Sequence, residues 1–306
     1  MKRILAIVLL ALLMLTAAGC GKKGQAEETA PAVAVAVTNE ITALTYGSTD
    51  VTLRLAKEDD TWVWVDDPTF PLDQDSVTAI LDQLNDPAAF TSVDATQDVS
   101  AYGLDKETHF LTAVSGEESQ TIYFGVQGPD NTYYARSDAA EGVFLAPAVL
   151  LELLDVSIYD RAILPTLPEL NEQNLVSLTL SWGGEARQHY VWDGSSWRIG
   201  GKDTVVSLAG VNDALSCWRL AQCMDYRPSQ GAAAVCGLEG GLTVLVRYKA
   251  DGDATEDFTL VVGGEAVGGS GHYVTAGDSD TIYRMENTYL NALLAIPKPE
   301  AEQPAA

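Results

Sequence analysis

The sequence predicts an α+β fold of two tandem similar units, each mostly antiparallel sheet with one amphipathic helix and a short closing helix. Three observations carry this. AYGLD at 101–105 returns as VCGLE at 235–239. Around both copies, apolar and polar residues alternate with the period of half-buried strands. Within each copy a run with helical spacing interrupts that alternation, at 77, 80, 81 and 84 in the first and at 211, 215 and 218 in the second.

Each element has a local reason. ITALTYG and VTLRLAK form a hairpin. A third strand carries Trp62, and the acidic DDP after it is a turn. PLDQDSVTAILDQLND follows as a helix, with Asp73 or Asp75 able to cap its N-terminus and Pro87 to stop it. The YGL element then leads into four short strands, and APAVLLELLD closes the unit as a helix. The order is ββ-β-α-ββββ-α, and local hairpins make the sheet antiparallel.

The second half answers element by element. DDTWVWV meets GSSWRIG, placing Trp62 against Trp197, and Val77, Leu81 and Leu84 meet Val211, Leu215 and Trp218. TIYFGVQG, NTYYAR, EGVFLA and LLELL meet FTLVVGGE, SGHYVT, DTIYRM and LNALL in the same order. Agreement of order, spacing and residue type points to a duplication. The units are expected at 39–165 and 166–296.

The tryptophan strand, amphipathic helix, YGL turn, F-G hairpin with its YY strand, and short LL helix resemble bacterial lipoproteins of the domain-of-unknown-function family 4340. The resemblance covers Asn39 to Leu164 closely and the second copy more weakly, where Cys236 replaces the tyrosine and the loop at 249–257 is longer. It implies a secreted, lipid-anchored protein of the kind encoded near transporter or gliding-type auxiliary proteins. It implies no chemistry, so it transfers no catalytic residue.

The N-terminus agrees. Lys2 and Arg3 precede an uncharged run from Ile4 to Ala18, then LTAAGC ends at Cys20. This is a secretory signal, expected at 1–19, whose apolar run falls short of the ~20 residues that a span needs. LTAAGC resembles the bacterial lipobox, with Ala17 where leucine is more usual, and that resemblance makes Cys20 the lipidated residue. Residues 20–38 read as a tether and 297–306 as a loose tail. The expected location is the extracytoplasmic face of the cell membrane.

The net charge is −25, and residues 39–165 hold 23 acids against 5 bases. Such a surface excludes nucleic acid as a partner and is repelled by anionic lipid, which leaves the anchor to hold the membrane. Cys217, Cys223 and Cys236 are an odd set. A Cys217–Cys223 or Cys223–Cys236 disulfide is open, as are three free thiols. The repeat marks Cys236 as a buried filler in place of Tyr102.

Little in the sequence points to chemistry. His109, His189 and His272 lie in strand-like stretches without metal-ligand spacing. The glycine-rich run at 263–271 lacks the lysine of a phosphate loop and reads as a flexible loop, its counterpart GVQGPDN as a hairpin turn. The acid pairs Asp59–Asp60, Asp66–Asp67, Asp251–Asp253 and Asp278–Asp280 read as solvated turns. Trp62 and Trp197 read as core, whereas Trp64 is expected to face away from Trp62 and is the candidate contact surface, and Tyr133, Tyr134 and Trp192 also sit on alternating strands. No cofactor and no metal are expected. The expected function is an extracytoplasmic binding module accessory to a membrane machine such as a transporter. Alternatives are a solute-binding lipoprotein with its ligand between the units, and an envelope hydrolase using Asp66 and Asp67.

Overall fold

Alternation of buried and exposed residues shapes the first half of the chain. β1 (Ala43–Gly47) and β2 (Thr52–Glu58) turn Leu44, Tyr46, Leu53 and Leu55 inward. β3 (Thr61–Trp64) follows through a two-residue loop, Asp59 and Asp60, whose φ values of 45° and 66° suit a tight antiparallel hairpin. The computed structural model describes residues 40–94, 98–184, 186–250 and 254–299. Cys20, the signal-like segment 1–19, the tether 20–38, Asp251, Asp253 and the tail from residue 300 lie outside the described residues.

Helix α1 (Gln74–Asn85) begins where Asp73 accepts the Asp75 backbone N–H at 3.1 Å. It buries Val77, Ile80 and Leu84 against the sheet. Gln74 also bonds the backbone of Trp62 in both directions at 2.9 Å, treating the β3 edge as a neighbouring strand would. Asp73→Ala is expected to cost about 1 kcal/mol, read as a lowered urea midpoint at unchanged slope.

The remaining strands are β4 (Thr91–Val93), β5 (Phe110–Ser115), β6 (Glu118–Gln127), β7 (Thr132–Ser137) and β8 (Val143–Pro147), closed by α2 (Ala148–Leu154). The sheet order is β3-β2-β1-β5-β6-β7-β8-β4. α1 therefore carries the chain from one edge of the sheet to the other. The second sheet is built from β9 (Leu175–Trp182), β10 (Ala186–Trp192), β11 (Trp197–Ile199), β12 (Val205–Val206), β13 (Gln222–Asp225), β14 (Leu242–Lys249), β15 (Thr255–Glu265), β16 (Gly271–Ala276) and β17 (Ile282–Glu286). Its order is β12-β11-β10-β9-β14-β15-β16-β17-β13. Apart from the added edge strand β12, this is the order of the first sheet. The helices here are α3 (Val211–Ser216), α4 (Ala232–Val235) and α5 (Asn287–Leu294).

The echoed motif has a packing reason. Gly103 and Gly237 sit at φ of 70° and 69°, where glycine carries no steric penalty. The turn then drops Leu104 or Leu238 into the interior and lays its backbone on a glycine of the adjacent strand. A Cβ at Gly125 would lie 2.0 Å from the Tyr102 carbonyl oxygen, and one at Gly263 would lie 2.3 Å from that of Cys236.

The structure corrects three expectations. β4 and β13 add a strand after the helix in each half, because three or four residues are too few to show a period. α3 is half the length of α1, and Trp218 lies beyond its end, although it is buried and bonds the Tyr289 carbonyl at 3.3 Å. Cys236 is only half-buried, and the buried filler is Cys223, whose thiol burial pushes up to about 11. All three thiols are free.

Two hydrophobic cores result, one drawn from Ile41 to Leu154 and one from Leu167 to Ile296. Tyr159, Ala162 and Tyr226 pack against both. At this junction Phe70 meets Tyr226 edge-on at 5.4 Å, and the Tyr226 hydroxyl donates to the Thr69 carbonyl at 2.9 Å. Arg227 reaches Asp67 at 3.2 Å and also bonds the Thr69 hydroxyl.

Candidate functional site

The residues singled out from the sequence do not converge. Trp64 is half-buried and meets Phe70 and Tyr159 edge-on at 5.4 and 6.4 Å. Trp64 was expected to face away from Trp62, but residues two apart on a strand share a face, and both tryptophans pack on the first core, with Phe70 and Tyr159 covering Trp64. Trp64 is thus junction packing and not a contact surface. Asp66 pairs with Arg54, and Asp67 with Arg227, so both carboxylates have structural partners. His109 precedes β5 and does not lie in a strand, with its Nδ1 3.2 Å from the Thr108 hydroxyl. His189 meets the Thr179 hydroxyl at 2.8 Å, and His272 donates to the Gly263 carbonyl at 3.0 Å. Among the described residues no three His, Cys, Asp or Glu side chains are grouped to hold a metal. The run at 263–271 spans the end of β15, the connection to β16 and the first residue of β16.

Two concave surfaces do form. The first is a cleft of about 360 Å³ between the β10–β11 hairpin and the segment from Val206 to Asp213. Trp192 forms one wall. It lies 5.2 Å from the buried Trp197, and its indole N–H donates to the Glu172 carbonyl at 2.9 Å. The Trp197 N–H donates to the Asn212 side chain at 2.8 Å, and Asn212 in turn reaches the Glu172 carboxylate at 3.2 Å. Behind the cleft the Arg198 guanidinium, with the N–H groups of Ser196 and Ser195, holds the Asp193 carboxyl well below the usual carboxylate range. Asp193 thereby fixes the turn that carries Ser195 and Ser196.

The second surface is a groove running past α4, made of two adjoining hollows of about 400 and 490 Å³. Ile282, Leu238, Val261, Met224 and the alanines of α4 give it an apolar lining. Asp225, Glu239 and Asp280 rim it, and no cationic side chain lines it. Val235, at its lip, is 89 % exposed.

Residues 62–213 match the family described as domain of unknown function, DUF4340. That stretch of the chain belongs to the family. The DUF4340 match opens at Trp62 in β3 and closes at Asp213 in α3, so it straddles both sheets. Every residue lining the first cleft falls within the DUF4340 stretch, whereas the α4 groove lies beyond it. No curated protein and no solved structure matches the chain.

Neither surface was legible in the sequence. The cleft draws on Glu172, on 192–197 and on 206–213, three stretches joined only by the fold. One usable signal was the tryptophan pair flanking DGSS, since a hairpin with an aromatic at each end brings the two rings together.

Proposed function

We propose that this chain is a non-catalytic binding module, anchored by lipid on Cys20 to the extracytoplasmic face of a bacterial cell membrane. It docks a partner protein of the envelope and is accessory to a membrane machine such as a transporter. Its folded part is two similar units, 39–165 and 166–296, and the shared strand order of the two sheets supports their origin by duplication.

The observation that carries the docking reading is the α4 groove. An apolar lining with a fully exposed valine at its lip is surface that a soluble chain seldom leaves open without use. Three rim carboxylates and a net charge of −25 fit a partner segment with apolar side chains flanked by lysine or arginine. The reading with a ligand between the units gains no support from the junction, where Phe70, Tyr159 and Tyr226 fill the space.

A photo-crosslinking residue at position 235 tests this in intact membranes. A single protein adduct of defined mass is expected there, and none from position 205, an exposed valine on β12. Equal labelling from both positions, or none from 235, would overturn the docking reading.

A further inference from the structure

The two sheets share a layout, but they treat the ground beside their tryptophan strand differently. In the first, Val77 is the fourth residue of α1, and the helix's opening turn lays Gln74 along the Trp62 backbone. In the second, the matching Val211 is the first residue of α3. The missing turn is replaced by β12, which pairs with β11 on its far side, and by the extended segment that follows. The Trp197 edge that matches the Trp62 edge held by Gln74 pairs with Val206 of β12, and the cleft opens between the segment from Val206 to Asp213 and Trp192.

What lines that opening is specific. The wall is the half-buried indole of Trp192, locked in place by its bond to the Glu172 carbonyl. The floor is the Asn212 amide, fixed by Trp197 on one side and by Glu172 on the other. The Ser207 hydroxyl and the carboxylates of Glu172 and Asp213 stand around the mouth, all exposed. A held aromatic plane beside fixed amide, hydroxyl and carboxylate groups matches a sugar ring, which offers one C–H face and a rim of hydroxyls. The volume of about 360 Å³ sits near the small end of binding sites, roughly 300–1,000 Å³, room for one or two rings. Two carboxylates and no lining cation repel acidic sugars.

We infer that this cleft is a binding site for a neutral saccharide, stacked on Trp192 and hydrogen-bonded by Asn212, Glu172 and Asp213. The inference stands independently of the docking groove at α4.

The test uses titration calorimetry on the full chain in a non-glycosidic detergent. The probes are glucose, the β-1,4 tetrasaccharides of glucose and of N-acetylglucosamine, and tetragalacturonate. Saturable binding of at least one neutral probe is expected, with tetragalacturonate silent. Binding of the tetrasaccharides alone assigns the site to a polymer, and equal binding of glucose assigns it to a free sugar. Trp192→Ala and Asn212→Ala are each expected to weaken binding tenfold or more, and Trp192→Phe to retain most of it. Should Trp192→Ala fail to fold by far-UV circular dichroism, Asp213→Ala, at an exposed position, decides, with at least a threefold loss expected. No saturable binding of any neutral probe at millimolar concentration overturns the inference. So does equal binding of the acidic probe, or unchanged affinity in folded Trp192→Ala or in Asp213→Ala.

Discussion

Trp197→Ala is expected to cost about 3–5 kcal/mol, the range for removing a large buried aromatic and leaving a cavity. Trp197 is 3 % exposed, touches the core of the second sheet and fixes Asn212 through its indole N–H. Its loss also leaves a partly buried amide oxygen without its donor, which adds to the cost. Among the described residues the two cores share Tyr159, Ala162 and Tyr226 as common packing. Urea unfolding followed by circular dichroism should therefore split, with the second sheet melting early and the first nearly where it was. Trp62→Ala should reverse the order of melting. A single transition shifted as a whole would show instead that the junction couples the halves fully. A loss below about 1 kcal/mol would contradict the burial on which the packing argument rests.

Cys20→Ala is expected to abolish incorporation of labelled palmitate and to move the protein out of the membrane fraction. The physical case rests on what else could hold it there. Among the described residues no helix is long and apolar enough to cross a membrane. The surface charge is repelled by anionic lipid. Burial of acyl chains contributes about 0.8 kcal/mol per CH2, and two chains make an anchor that one does not. A Cys20→Ala protein that still takes up label would overturn the lipid-anchor reading, whatever fraction it is found in.

Much of the architecture was legible because it rests on local rules. Alternation marked β1, β2 and β5 to β8, and helical spacing with an acidic cap at Asp73 or Asp75 marked α1, where Asp73 is the cap. The echo of YGL in CGL marked turns that need a left-handed residue, and both glycines have it. What the sequence hid was decided at long range. Thr91–Val93 is a strand only because β8 offers an edge to pair with. Trp64 was expected to be a contact surface, but two residues after Trp62 it shares that core-facing side of β3, and Phe70 and Tyr159, the latter almost a hundred residues on, cover it. Cys236 was expected to be buried by analogy with Tyr102, but Tyr102 is itself only half-buried, its ring tilted against that of Tyr134 at 4.8 Å. The cleft at Trp192 is lined from Glu172, from 192–197 and from 206–213, stretches that only the fold brings together, so no pattern within one of them announces it.

The turn that lays its carbonyl on a strand glycine has a consequence for tracing kinship. Where the first half has Tyr102 the second has Cys236, and the loops around them differ in length, yet neither glycine of the contact can take on even a methyl group while the other side stays put. Gly103 and Gly125 are 22 positions apart and Gly237 and Gly263 are 26, so the spacing drifts while the letters cannot. Divergent relatives should be recognisable by that pair of immovable positions long after their tryptophans, cysteines and surface charge have been rewritten. A chain that keeps the sheet but loses one of the two glycines should have moved the turn itself.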